Sequence, residues 1–270
     1  TGVLKRIEGM FAFGIWDSYK IKLLIARDRF GIKPLYFEKN ADSFTFSSSL
    51  KAITSIKKHP KKIDISSICD YLTYRYVPSP KTIYLDINKL EPAHYLYWSP
   101  GEELIPIEYL KLTYNPQKKS KSEIFEEFNS LLNESVKKHL MSDVPIGCFL
   151  SSGYDSNALI TQMSKLDYQT KAFSIGYSNW VKSEHDIAKQ SCKILNIEHE
   201  ILMIDDENFP IDEVVNVYDE PIADISILPT YQVSKMAAKK VKTVFSGEGA
   251  DELLGGYHWY SEIEKMRQNV

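Results

Sequence analysis

The chain has 270 residues, 43% of them hydrophobic and 26% charged, and a formal charge of −3. This balance is that of a soluble globular protein of one large or two ordinary domains, and it gives no electrostatic case for nucleic-acid binding. No apolar run reaches the length of a bilayer span, which argues against a membrane protein, and Cys69, Cys148 and Cys192, without a C-x-x-C pair, read as free thiols in a reducing, cytoplasmic setting.

Phe11 to Trp16 and Ile21 to Ala26 are apolar segments separated by Asp17-Ser18-Tyr19-Lys20, which predicts a hairpin. Leu35 to Glu38 and Ser43 to Ser48 repeat the pattern around Asn40-Ala41-Asp42. Spaced apolar positions predict a helix over Ser66 to Tyr76, ending near Pro78 and Pro80. Ala93 to Trp98 reads as a strand closed by Pro100-Gly101, and the polar stretch 113–122, which carries Pro116, as a linker.

Beyond the linker the rhythm changes. Ser122 is expected to start an amphipathic helix to about His139, with Ile124, Phe125, Phe128, Leu131 and Leu132 on its inner side. The pattern then gives strand 146–150, helix 154–165, strand 171–176, helix 183–195, strand 199–204, helices 212–219 and 229–240, and strand 241–246. Such alternation predicts a parallel sheet covered on both faces.

The stretch Phe149-Leu150-Ser151-Ser152-Gly153-Tyr154-Asp155-Ser156 links a buried strand to a helix through small residues. Unpaired N–H groups at a helix start carry partial positive charge, and small side chains let phosphate approach them. Asp155 would repel that phosphate unless a cation stood between them, which suggests Mg²⁺. An ordinary strand-turn-helix with an N-cap Ser explains the same letters equally well. Thr243 to Tyr257 breaks the tie: a β-branched strand runs into Ser246-Gly247, and Glu248, Asp251 and Glu252 follow within five residues, ahead of Gly255-Gly256. Two acidic loops, each ending a buried strand, suggest a single nucleotide and its metal at the carboxyl ends of an open sheet.

At these residues the chain resembles the glutamine-hydrolysing asparagine synthetases. Ser151 to Ser156 is similar to the Ser-Gly-Gly-x-Asp-Ser signature of the ATP pyrophosphatase (PP-loop) superfamily, and Ser246 to Glu252 to the Ser-Gly-Glu-Gly-x-Asp-Glu block of the synthetases. Ala26 to Tyr36, His139 to Pro145, Asp219 to Asp224 and Ile227 to Tyr231 match further family blocks in order. The resemblance implies an α/β chain in three parts. Residues 1–112 are the C-terminal part of an N-terminal-nucleophile (αββα) glutaminase domain, 113–122 the linker, and 123–270 the N-terminal part of a doubly wound ATP pyrophosphatase domain.

It also implies the chemistry: ATP- and Mg²⁺-dependent conversion of aspartate to asparagine through a β-aspartyl-adenylate, with ammonia from glutamine. Ser151, Gly153 and Ser156 would cradle pyrophosphate, with Ser152 in the same loop; Ser246 and Gly247 would contact the nucleotide; Phe149 and Ile175 would wall the adenine. Asp155 and Asp251 would bind the metal, and Glu248 would act in forming the adenylate. Family members usually carry Gly at the place of Ser152, so a positive φ there would mean strain. Arg27 and Lys33 read as structural ion-pair partners and His199 as a packing or surface residue. Asp219, Glu220 and Asp224 fit helix caps or a substrate role equally.

The glutaminase nucleophile, a Cys at position one, is not matched here, and Thr1 aligns with the interior of that domain rather than its start. The chain therefore reads as an internal fragment, expected to be weak or inactive as a synthetase by itself, with a homodimer left open as its assembly. The sequence also leaves open an amidotransferase acting on another carboxylate (a sugar acid, peptide or antibiotic precursor) and a non-catalytic nucleotide-binding fragment. This polypeptide is expected to release no glutamate from glutamine; an end-point glutamate assay that detects release contradicts the reading.

Overall fold

Residues 18–21 join strands β1 (Ala12–Asp17) and β2 (Lys22–Arg27) into an antiparallel hairpin paired from Ala12 with Arg27 to Asp17 with Lys22. The Asp17 carboxylate accepts the N–H groups of Tyr19 and Lys20, each at 3.1 Å, which is why a short polar tetrapeptide suffices for the turn. The computed structural model describes residues 2–40, 43–56, 61–177, 184–204 and 210–268. Thr1, the turn residues Ala41-Asp42 and the expected helix start at Ser183 lie outside these.

The chain divides into two compact units, the first comprising the chain to Pro116 together with Asp212–Asp224. Its elements are β1, β2, β3 (Tyr36–Lys39), β4 (Phe44–Ser47), α1 (Leu50–Ile56), α2 (Ile65–Tyr74), β5 (Asn88–Lys89), β6 (His94–Trp98) and β7 (Ile107–Glu108). They form a four-stranded sheet of order β1-β2-β6-β7 and a three-stranded sheet of order β4-β3-β5. Strand β2 is covered on both faces: Leu23 and Ile25 pack with Leu35, Phe37, Leu90 and Leu96, while Ala26 packs with Leu4, Ala93, Tyr95 and Tyr109.

Charged residues of this unit serve its backbone. Asp28, 1% exposed, accepts N–H groups from Phe11, Phe30, Ile32 and Lys33. Arg27 is structural, yet among the described residues its partners are the carbonyls of Gly31, Lys33 and Leu90, not a carboxylate. A turn with unpaired carbonyls takes up a five-donor guanidinium as readily as an anion would.

Helix α6 (Ile211–Val217) and the residues after it return to this unit. The Asp219 carboxylate accepts the N–H of Leu50, the first residue of α1, at 2.7 Å. Glu220 pairs with Lys89 at 2.6 Å and accepts the N–H of Ile83 at 3.2 Å. Both acids thus have structural partners, the helix-capping alternative for Asp219 included. Burial pushes the Glu220 carboxyl up, and its bond to Lys89 opposes that.

The second unit comprises Gln117–Ile211 and the chain from Ile225. It contains α3 (Lys121–His139), β8 (Ile146–Phe149), α4 (Tyr154–Lys165), β9 (Lys171–Tyr177), α5 (Glu184–Leu195), β10 (Glu198–Ile204), α7 (Ile227–Ala237), β11 (Thr243–Phe245), α8 (Ala250–Leu254) and α9 (His258–Gln268). The four strands form a parallel sheet of order β10-β9-β8-β11. One face is covered by Val136 of α3, Ile160 and Met163 of α4, and Ala188 and Cys192 of α5; the other by Val233 and Ala237 of α7 against Phe173. The expected doubly covered parallel sheet is therefore present. Burial pushes the thiols of Cys148 and Cys192 up to about 12 and about 11, so neither is a ready nucleophile.

Helix α3 differs from expectation. Its N-cap is Ser120, whose hydroxyl accepts the Glu123 N–H while the Glu123 carboxylate accepts the Ser120 N–H, so the helix begins at Lys121 rather than Ser122. Ile124, Phe125, Phe128 and Leu131 are exposed; only Leu132 and Val136 meet the core. The helix docks through its C-terminal half, where Asn133 also bonds Gln162 of α4, so periodicity alone overstated its buried face.

Replacing Asp219 with Ala removes the acceptor for Leu50 N–H. The urea midpoint is expected to fall by the equivalent of about 1–3 kcal/mol, and an unchanged midpoint would contradict the capping role.

Candidate active site

The sheet of the second unit starts at β8, proceeds to β9 and β10, then returns to β11 on the other side of β8. Strand order reverses between β8 and β11, and in open parallel sheets such a switch point leaves a crevice at the carboxyl ends of the two strands. The segments that leave those ends are Leu150–Gly153 and Ser246–Gly249. Both border a cavity of about 540 Å³.

The first loop is internally braced. The Ser156 hydroxyl, on the first turn of α4, accepts the Ser151 N–H at 3.1 Å and lies 3.0 Å from the Ser151 hydroxyl. Gly153 N–H donates to the Ser151 hydroxyl, and the Asn157 amide donates to the carbonyls of Ser151 and Gly153. Ser152 is not among the residues of positive φ, so the Ser in place of the family's usual Gly brings no left-handed strain.

The second loop meets the first at Gly247. A side-chain carbon there would stand 3.2 Å from both the Asp155 Cβ and the Ser156 N. Only a residue without that carbon lets the loops approach without displacement. Gly249, at φ +89°, turns the chain into α8 and presents Asp251 in its first turn.

Of the residues singled out in the sequence, Phe149, Ser151, Gly153, Asp155, Ser156, Ile175, Ser246, Gly247, Glu248 and Asp251 all line the cavity; Ser152 does not. Phe149 and Ile175 form part of its apolar side, packed with Phe173 and Val233. Glu252, the third acid of its loop, turns away to accept the Tyr257 hydroxyl at 2.8 Å; that bond and the nearby carboxylates hold the phenol pKa up at about 12. Pro229 and Thr230, inside the family block at Ile227 to Tyr231 but given no role there, also line the cavity, as do Ser174 and Tyr177 on β9 and Ser226 and Val233 around α7, which escaped the sequence reading. Hydroxyl and apolar residues at strand or helical spacing look like any packed element.

The described lining includes three carboxylates, Asp155, Glu248 and Asp251, and no Lys, Arg or His. Among the described residues no group of three or more His, Cys, Asp or Glu is arranged to hold a metal by itself. Two carboxylates with room for ligand oxygens and water fit Mg²⁺, which commonly takes one or two protein carboxylates and completes its shell from phosphate and water. No helix among the described residues is long and apolar enough to cross a membrane.

A parallel sheet covered on both faces, with two serine-glycine loops bordering a cavity at its switch point, defines an open α/β domain. Residues 127–270, over half of the chain, match the family model of asparagine synthase, and the chain belongs to that family. Residues 1–109 match the glutamine amidotransferase domain. Asparagine synthetase 1 (glutamine-hydrolyzing) of Bacillus subtilis (strain 168) is 35% identical over 95% of this chain and 41% of its own length. Putative asparagine synthetase 2 (glutamine-hydrolyzing) of Methanocaldococcus jannaschii is 36% identical over 94% of this chain and 50% of its own. The chain thus spans half or less of the length of these curated relatives. Among solved structures, the NH3-dependent NAD synthetase of Campylobacter jejuni is 21% identical, with a TM-score of 0.35, over 52% of this chain and 61% of that one.

Replacing Ser156 with Ala removes the acceptor of the Ser151 N–H and is expected to lower the urea midpoint by the equivalent of about 0.5–1.5 kcal/mol, whereas Ser152→Ala is expected to stay within about 0.5 kcal/mol. Equal effects of the two substitutions would contradict the bracing role of Ser156.

Proposed function

We propose that this chain is the nucleotide-handling part of an ATP-dependent amide-forming enzyme that converts aspartate to asparagine through a β-aspartyl-adenylate, with ammonia drawn from glutamine in the whole protein. The observation that carries the reading is the meeting of the two loops over one cavity, with Gly247 against Asp155 and Ser156. Family membership and the names of the relatives support it.

A carboxylate oxygen is a poor leaving group, so the β-carboxylate of aspartate must first attack the α-phosphorus of ATP and expel pyrophosphate. Ammonia then attacks the acyl carbon and AMP departs. Positioning two anions in line, with their charge neutralised, is the main task of the site. Residues 151–156 would hold pyrophosphate through main-chain N–H groups and hydroxyls, which is why an unstrained and braced loop matters. Phe149 and Ile175 give the adenine an apolar wall, and Ser246 and Gly247 contact the nucleotide. Asp155 and Asp251 would hold Mg²⁺, which supplies the positive charge that an acidic cavity lacks when a triphosphate enters. Glu248 assists adenylate formation and takes up the proton that ammonia releases on attack.

The test is aspartate-dependent exchange of labelled pyrophosphate into ATP. In a protein of the relatives' full length that carries this chain, exchange with Mg²⁺ is expected; Asp155→Asn, Asp251→Asn and Glu248→Gln are each expected to slow it about 10²–10³-fold, the usual size of losing a positioned electrostatic group. Chelation of Mg²⁺ is expected to abolish it. Exchange driven by another carboxylic acid and not by aspartate would overturn the substrate assignment, and exchange indifferent to all three substitutions would overturn the site.

A further inference from the structure

The Leu150–Ser151 peptide begins the first loop, and both of its polar ends are engaged. Its N–H, from Ser151, donates to the Ser156 hydroxyl at 3.1 Å. Its carbonyl, from Leu150, accepts the Ser174 hydroxyl at 2.5 Å. Leu150 N–H in turn donates to the Phe173 carbonyl, so β9 grips the end of β8 at two successive points.

Ser174 is 3% exposed and lines the cavity. Its single proton is spent on Leu150, so its remaining bond must be an accepted one. The partner is His199 on β10, whose Nε2 lies 2.7 Å away. His199 pairs in register with Ala172, which places it diagonal to Ser174 on the same sheet face, within reach of a long side chain. The other ring nitrogen, Nδ1, is buried and has no hydrogen-bond partner among the described residues. A neutral ring protonated at Nε2 satisfies this arrangement: Nε2 donates and Nδ1 stays bare. Protonation of Nδ1 would bury an N–H with no acceptor.

We infer that His199 is a positioning residue of the nucleotide site, acting through Ser174 to fix the orientation of the Leu150–Ser151 peptide and with it the loop that follows. Desolvation, with His185 and Lys189 adding to it, lowers the pKa of His199 and keeps the ring neutral. The serine proton then has one direction, toward Leu150. Without the imidazole donor the hydroxyl can rotate, and the loop loses the clamp on its first peptide. The effect on nucleotide rests on the function proposed above; the tautomer and the loop's amide exchange do not.

Two measurements on the 270-residue chain test the inference. Long-range ¹⁵N–¹H correlation of the imidazoles is expected to show His199 protonated at Nε2 and bare at Nδ1 at neutral pH; the opposite tautomer would overturn the relay. Hydrogen exchange of residues 151–157 and calorimetric titration with Mg·ATP are then compared in Ser174→Ala, His199→Phe and His199→Gln. The first two are expected to exchange faster in the loop and to bind Mg·ATP about tenfold more weakly, the equivalent of one hydrogen bond near 1.4 kcal/mol. His199→Gln, whose amide can replace the Nε2 donor, is expected to restore both to within about threefold of wild type, a rescue that simple loss of packing would not produce. His199→Phe equal to wild type in loop exchange, or His199→Gln as impaired as His199→Phe, overturns the inference. A wild-type chain that binds no Mg·ATP but shows the expected tautomer and exchange pattern would leave the relay standing and sink the proposed function instead.

Discussion

Strands β8 and β11 run parallel and side by side, Thr243 opposite Ile146 and Phe245 opposite Cys148, and the rest of the candidate site follows from that pairing. Parallel neighbours release their chains at the same edge of the sheet. Because the strands before β11 build outward from β8 in the other direction, the segments leaving β8 and β11 border the crevice at the reversal. Gly247 then lets the second loop close on Asp155 and Ser156. Breaking the pairing would separate serines from acids, and no local feature of either loop could compensate.

The distribution of carboxylates points the same way. In the first unit Asp28 collects four backbone N–H groups, Asp219 caps α1 and Glu220 is matched by Lys89, so these acids are balanced by local donors. Glu252 is matched by the Tyr257 hydroxyl. The described lining of the cavity gathers Asp155, Glu248 and Asp251 with no basic side chain. An acidic cavity beside main-chain N–H groups suits a ligand that brings both anionic oxygens and a divalent cation, which is the electrostatic content of the function proposed.

Much of this was legible in the letters. The strand-turn-helix at 146–165 carries its own punctuation, and the alternation after it fixes a parallel sheet. What was not legible depends on partners distant in sequence. Helix α1 was missed because its buried positions, Leu50 and Ile53, are only two, and of the acceptors at its start the Ser49 hydroxyl is local while Asp219 is 169 residues away. The inner face of α3 was overstated because amphipathic spacing does not say which turns dock. The φ of Ser152 has no signature in sequence, and whether the residue was strained could be read only from the backbone. Ser174 and His199 look like unremarkable strand residues until the register of β9 and β10 sets them diagonal to one another.

The central claim is that two loops from two strands serve one ligand. Titrating ¹⁵N-labelled chain with Mg·ATP and following the amides of residues 150–157 and 246–251 tests it most directly. The account predicts that both sets shift together along one saturation curve and return together when Mg²⁺ is chelated. Shifts confined to one loop, or two loops saturating at different concentrations, would contradict it.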